Sequence, residues 1–132
     1  GVKPNPVLSK VIETVDLMKR EKVDAIVAVG GGSVLDTSKI SAAAYYYDGN
    51  PWDFYEGKVY PEKALPIYGV LTISATGSEM NSGGVITNEE KKTKAYEKLS
   101  AYAKEVGIPV TVDQLDDYIE SAVRLVKVLT TP

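Results

Sequence analysis

The stretch DAIVAVGGGSVLDTSK, from Asp24 to Lys39, decides the fold class of this chain. A short and continuously apolar run ends in three glycines, and a polar stretch with a helical pattern follows. Apolar runs of this length are typical of strands that are buried on both faces of a parallel sheet. The stretch therefore predicts a buried β-strand, a glycine-rich turn and an α-helix, in that order.

The glycine-rich turn is suited to holding an anion. Glycine lets backbone N–H groups approach a ligand because no Cβ intervenes, and the start of the following helix carries a partial charge of roughly +0.5. Ser33 is predicted to cap that helix, which should begin around Val34. The dinucleotide fingerprint G-x-G-x-x-G is not satisfied, because Leu35 occupies its third glycine position, and no P-loop G-K-[S/T] follows. A tight turn without a ligand is the alternative.

Asp36 and Lys39 lie three residues apart on this predicted helix. One interpretation is a surface ion pair, which contributes about 0.2–0.5 kcal/mol. The other interpretation places Asp36 beside a bound ligand, where its carboxylate accepts hydrogen bonds. The residues alone favour the surface ion pair.

The flanking pattern supports an α/β fold. A helix is predicted from Asn5 or Pro6 to about Lys22, ahead of the first strand, and a second strand is predicted at Ile67–Ser74. This alternation predicts a Rossmann-like parallel sheet. Two strong strands are fewer than a doubly wound sheet normally has, so the sheet is predicted to be truncated.

A second polar junction, ATGSEMNSGG, follows the second strand. Two such junctions at the ends of adjacent strands form the crevice in which α/β proteins bind nucleotides. Beyond it, GVITNEEKKTKAY is predicted to form a hairpin with the charged NEEKKTK at its tip. Two helices, Glu97–Val106 and Val112–Leu129, are predicted on either side of Gly107.

Composition narrows the function. The 132 residues carry a net charge of −3, which provides no basic face for nucleic acid. No apolar run approaches the roughly 18 residues of a membrane helix. The chain has no cysteine and no histidine, so thiolate and imidazole chemistry would have to come from elsewhere. A cytoplasmic protein is expected, and because the chain starts with Gly1 rather than Met, a partial chain is expected as well.

Four blocks together resemble a known family. KPNP followed by a helix, then AVGGGSVLDTSK, LTISATGSEMN and VITNEEKKTK, occur in the order and at the spacing of the iron-containing (group III) alcohol dehydrogenases, in their butanol-dehydrogenase-like branch. The blocks cover residues 1 to about 94. The resemblance implies a dinucleotide-binding α/β portion at residues 1–95 and a helical segment at 96–132 that is similar to part of the family's C-terminal domain.

The resemblance also implies a set of residues that bind NAD or NADP. Gly31, Gly32 and Ser33 would hold the pyrophosphate. Asn5 would approach the adenosine, and Lys94 would reach the ribose from the hairpin strand or, alternatively, be an exposed lysine. The other implied cofactor-binding residues are Asp36, Thr72, Ser74, Thr76 and Asn81.

The family's activity is hydride transfer between NAD(P)(H) and an alcohol or aldehyde, with Fe²⁺ or Zn²⁺ held by an aspartate and three histidines. A chain without histidine cannot supply that set. The chain alone is therefore predicted to be inactive, with no catalytic residue or metal ligand of its own and with a homodimer as one expected assembly. The alternatives are a non-catalytic nucleotide-binding module and a scaffolding α/β domain that exposes its sheet edges.

Overall fold

The structure is a computed structural model that describes residues 1–74 and 77–119. The chain divides into two compact units, Gly1–Asn88 and Glu89–Pro132. The first unit alternates helices and strands, which confirms the predicted α/β class. Its elements are α1 (Leu8–Glu21), β1 (Ile26–Gly30), α2 (Gly32–Ala44), a 3₁₀ turn (Pro51–Phe54), β2 (Ile67–Leu71) and a second 3₁₀ turn (Ser78–Met80).

The two strands form a parallel sheet. Their register runs from Ile26 opposite Ile67 to Gly30 opposite Leu71. The N–H of Thr72 donates to the carbonyl of Gly30 at 3.1 Å and continues the pairing beyond β2. Both strands therefore end at the same place, as the two predicted junctions require. Within the described residues the sheet has these two strands.

Helix α1 forms because its apolar residues share one face. Leu8, Val11, Val15 and Met18 are spaced by three or four residues, and all four are buried. Burying each of these side chains stabilises the fold by roughly 1.5–3 kcal/mol. The helix ends at Lys22, whose left-handed backbone (φ 54°) lets Val23 donate back to the carbonyl of Met18.

Helix α2 covers one face of the sheet. Its Leu35 lies so close to Gly69 that a Cβ on that glycine would be 3.5 Å from the leucine Cδ2. The opposite face is apolar but exposed; Val27 is 66% and Val29 is 58% accessible, and Tyr68 and Val70 accompany them. The prediction that β1 is buried on both faces is therefore wrong, because such burial needs a layer on each face and α2 supplies one.

The start of α2 also differs from the prediction. Gly31, not Ser33, is the N-cap, and the helix begins at Gly32. The carbonyl of Gly31 already accepts from the N–H groups of Val34 and Leu35, so the serine lies inside the first turn. The helix ends at Ala44, ahead of the tyrosine run.

The predicted hairpin is wrong. The isolated parallel bridge between Val7 and Thr87 is followed directly by α3, Glu89–Glu105. The segment lacks a turn-forming Asn-Gly or Asp-Gly pair, and its glutamates and lysines are good helix formers. Glu89 and Glu90 also occupy the first turn, where negative charge stabilises a helix.

The second unit contains α3 and a helical stretch at 112–119. Between them Gly107 adopts φ 70° and Ile108 donates to the carbonyl of Ala103 at 2.9 Å, a helix ending that the sequence predicted. Thr111 and Gln114 exchange side-chain-to-backbone hydrogen bonds and start the next helix with a capping box. The remainder of the predicted helix to Leu129 lies outside the described residues.

Gly30 is expected to be the least replaceable glycine of the first junction. Its φ is 155°, and an added Cβ would lie 2.5 Å from Cγ2 of the β-branched Val34. Gly30→Ala should lower the free energy of unfolding by about 1–3 kcal/mol, measured by urea denaturation.

Gly83→Ala is the matched control, because a Cβ there would be 3.7 Å from its nearest neighbour. Its stability should stay within about 0.5 kcal/mol of the wild type. Equal stability of the two variants would show that the Gly30 turn relaxes around a side chain.

Candidate nucleotide-binding site

The first junction presents an open helix N-terminus. Gly31 caps α2 with an extended backbone (φ −96°, ψ −161°), and no side chain bonds to this end of the helix. The N–H groups of Gly32 and Ser33 precede the first helical hydrogen bonds, so they have no helical carbonyl to pair with. Together with the helix dipole, these N–H groups form a place where an anion can bind.

The second junction lies beside the first. Gly30 and Leu71 are paired across the sheet, and a Cβ on Gly31 would be 3.7 Å from Cγ2 of Ile73. Thr72 and Ser74 follow β2 and are exposed. Thr76, which was also predicted to bind the cofactor, lies outside the described residues. The structure thus brings the glycine turn and two hydroxyl-bearing residues to one edge of the sheet.

Asp36 joins α2 to the loop that follows the second junction. Its Oδ1 accepts from the hydroxyl of Ser78 at 2.5 Å, and its Oδ2 accepts from the N–H of Val85 at 3.1 Å. Its pair with Lys39 exists, at 3.3 Å, but the two side chains are only 16% and 15% exposed. The pair is therefore not the surface ion pair that the residues alone favoured.

Asn81 closes the same loop. Its side-chain Nδ2 donates to the carbonyl of Gly77 at 3.2 Å, and its Oδ1 accepts from the N–H of Gly83 at 3.1 Å and from Nζ of Lys39 at 3.1 Å. The side chain predicted to lie near the cofactor is thus part of the loop that carries Ser78.

Tyr55 stabilises the same loop through a hydrogen bond to its backbone. Its hydroxyl donates to the carbonyl of Gly84 at 2.8 Å. Burial of the phenol, and secondarily the nearby charge of Asp36, hold the pKa of Tyr55 well above its usual value. The hydroxyl therefore stays a neutral donor. A Cβ on Gly84 would lie 3.2 Å from the side chain of Ile40, so the loop packs tightly on α2.

Asn5 reaches the same end of the first unit. It has a left-handed backbone (φ 61°) and precedes Pro6, whose carbonyl accepts from the N–H of Thr87 at 2.8 Å. Near the end of α1, Nζ of Lys19 donates to the carbonyl of Tyr47, just beyond the end of α2. The two helices therefore run in the same direction, and both begin at the carboxyl ends of the strands.

Lys94 is placed differently from the prediction. It is an exposed residue of α3 in the second unit and not a residue of a hairpin strand. The sequence did not single out Ser78 or Tyr55 as structural contacts of the site. Their role depends on packing between segments about 30 to 40 residues apart, for which spacing gives no signal.

The described residues do not fit a catalytic metal. They contain no group of three or more histidine, cysteine, aspartate or glutamate side chains that could hold an ion. The whole sequence contains no histidine. Within the same described residues, no helix is long and apolar enough to cross a membrane.

Two adjacent junctions at the carboxyl edge of a parallel sheet are the arrangement by which α/β proteins bind nucleotides. A family model for iron-containing alcohol dehydrogenases matches residues 1–112, and the chain belongs to that family. The sequence resemblance is thereby confirmed.

Individual relatives agree with the family assignment. The probable NADH-dependent butanol dehydrogenase 1 of Bacillus subtilis is 53% identical over 94 residues, which are 71% of this chain and 24% of the relative. NADH-dependent butanol dehydrogenase A of Clostridium acetobutylicum is 45% identical over 94 residues, which are again 71% of this chain and 24% of the relative. The chain thus spans about a quarter of the length of the curated relatives it matches.

Solved structures confirm the fold. NADH-dependent butanol dehydrogenase A from Thermotoga maritima matches with a TM-score of 0.68 and 62% identity, over 70% of this chain and 23% of that one. Sulfoacetaldehyde reductase from Bifidobacterium kashiwanohense, solved in complex with NAD⁺, matches with a TM-score of 0.65 and 34% identity, over 68% of this chain and 24% of that one.

Ser78 is expected to be a major support of the site. Ser78→Ala removes a donor from the largely buried carboxylate of Asp36 and should lower the free energy of unfolding by about 1–3 kcal/mol in urea denaturation. Ser82→Ala, an exposed change in the same loop, should have an effect within about 0.5 kcal/mol. Equal effects of the two substitutions would contradict a structural role for the Ser78 hydroxyl.

Proposed function

We propose that this chain is the NAD(P)-binding portion of a metal-dependent alcohol dehydrogenase that transfers hydride between the cofactor and an alcohol or aldehyde. The observation that carries the proposal is the open N-terminus of α2 beside the end of β2, in a chain of the iron-containing alcohol dehydrogenase family. An anion cradle and hydroxyl groups at one sheet edge are what a dinucleotide needs.

The described residues fit the cofactor. The backbone N–H groups of Gly32 and Ser33, together with Gly31, would hold the pyrophosphate. Thr72 and Ser74 would offer hydroxyls to the phosphates and the nicotinamide ribose, and Asn5, at the same end of the unit, would approach the adenosine. The bound nicotinamide would supply the hydride acceptor or donor.

Asp36 and Asn81 are proposed to shape the cofactor site through contacts that they already make within the protein. Each already holds a loop contact through its side chain, so each would shape the cofactor site as well as border it. Lys94 and Thr76 stay in the proposed set on the family resemblance alone.

The metal chemistry would lie outside this chain. The described residues offer no ligand set, and the relatives are about three times as long as this chain. We therefore propose that these residues by themselves bind the nucleotide without turnover. For this chain alone, the proposal coincides with the alternative of a non-catalytic nucleotide-binding module. The relatives' names include butanol, choline and sulfoacetaldehyde, so the proposed substrate is a class and not one alcohol.

The other proposed properties follow from charge and resemblance. A net charge of −3 favours small-molecule ligands over nucleic acid. A cytoplasmic location, a homodimer, and the division into a dinucleotide-binding portion at 1–95 and a helical segment at 96–132 stay predictions.

A negative charge introduced at Ser33 should weaken nucleotide binding without weakening the fold. Ser33→Asp places a carboxylate in the first turn of α2, where it should keep or raise stability by about 0.3–1 kcal/mol. The same charge repels a pyrophosphate, so the Kd for NAD⁺ in calorimetry should rise by at least about tenfold.

Ser33→Asn is the control, because asparagine has the shape of aspartate without its charge. Its Kd should stay within about threefold of the wild type. No heat with NAD⁺, NADPH or ADP-ribose in the wild-type chain would refute nucleotide binding.

Turnover should be absent from the chain alone. With NAD⁺, butanol and added Fe²⁺ or Zn²⁺, the absorbance of NADH should not rise above the enzyme-free control, because the described residues offer no metal site. An alcohol-dependent rise that a chelator removes would place the metal ligands within these 132 residues.

A further inference from the structure

The ammonium group of Lys39 is fully engaged by the loop that follows the second junction. Nζ donates to the carbonyl of Ser78 at 2.9 Å and to its hydroxyl at 2.8 Å. It also lies 3.1 Å from Oδ1 and 3.4 Å from the carbonyl of Asn81, and 3.3 Å from Oδ1 of Asp36. An ammonium has three protons, so these five oxygens leave it no donor for a ligand.

Lys39 and Asp36 also neutralise each other. Their side chains are largely buried and three residues apart on α2, and both contact the hydroxyl of Ser78. The lysine therefore adds little net positive charge at the sheet edge. Attraction of a phosphate there comes from the N-terminus of α2, whose amides belong to Gly32 and Ser33.

The two junctions depend on Lys39 to different degrees. The first junction is built from the backbone of α2, through the carbonyl of Gly31 and the amides of Val34 and Leu35. The second junction begins at β2 and returns to α2 at Ser78 and Asn81, which Lys39 binds. Loss of the lysine should therefore loosen the second junction and leave the first intact.

We propose that Lys39 is a positioning residue that fixes the second junction against α2, and that a dinucleotide needs it whereas a nucleoside diphosphate does not. The inference rests on the proposed function, because it assumes that the cofactor occupies both junctions. ADP carries one nucleoside on its pyrophosphate, and the first junction supplies the backbone N–H groups that would hold that pyrophosphate.

The test compares two ligands on the same variants of the chain. Lys39→Met keeps the length of the side chain and removes its charge and donors. By calorimetry its Kd for NAD⁺ should rise about tenfold, while its Kd for ADP should stay within about twofold of the wild type. Lys39→Arg, which keeps the charge and donors, should bring the NAD⁺ Kd back to within about threefold.

Lys10→Met is the matched control, because Lys10 also pairs with a carboxylate three residues away, Glu13, but on an exposed part of α1. Its affinity for both ligands should be unchanged. If Lys39→Met loses its helical circular dichroism, Lys39→Gln, which is shorter and uncharged, replaces it in the same comparison.

Each outcome bears on the positioning role. A selective loss of NAD⁺ affinity supports it. An equal loss for NAD⁺ and ADP, or no loss for either, overturns it while leaving nucleotide binding in place. A wild-type chain that binds neither ligand refutes the proposed function itself, and the positioning role with it.

Discussion

The largely buried carboxylate of Asp36 links α2 to the loop that follows the second junction. One oxygen accepts from Ser78 and the other from the backbone of Val85, while Lys39 supplies the opposing charge. A buried carboxylate is costly unless its oxygens are hydrogen-bonded. The loop after the second junction is therefore confined to α2, beside the sheet edge that strand pairing forms at Gly30 and Leu71.

The described part of the chain has the features of an anion site without those of a metal site. The described residues contain an open helix N-terminus at Gly31–Ser33 but no group of side chains suited to a metal. The sheet is also only partly covered. Val27, Val29, Tyr68 and Val70 form an exposed apolar face, whereas parallel sheets are normally covered on both faces. The matched part of the chain is about a quarter of the length of its relatives, and among the described residues the open helix N-terminus belongs to α2, which covers the other face of the sheet.

Particular elements show which patterns the sequence encodes reliably. Leu8, Val11, Val15 and Met18 predicted α1 because an α-helix brings such residues to one face whatever surrounds it. The charged tip of the expected hairpin became the start of α3 because charge alone does not specify a turn, whereas Glu and Lys favour a helix. Ser33 resembled an N-cap, yet the three glycines let the helix begin earlier, at Gly32.

The sequence by itself determined the order of helices and strands from α1 to β2, the glycine turn and the family, because these depend on periodicity, backbone freedom and residues that are close along the chain. Only the tertiary structure decided the partners of Asp36 and Lys39. Those partners, Ser78, Asn81 and Val85, lie 39 to 49 residues away, and pairing over such distances follows from how the loop packs on α2. The sequence supplies the donor and acceptor groups, and the tertiary structure determines which of them form hydrogen bonds.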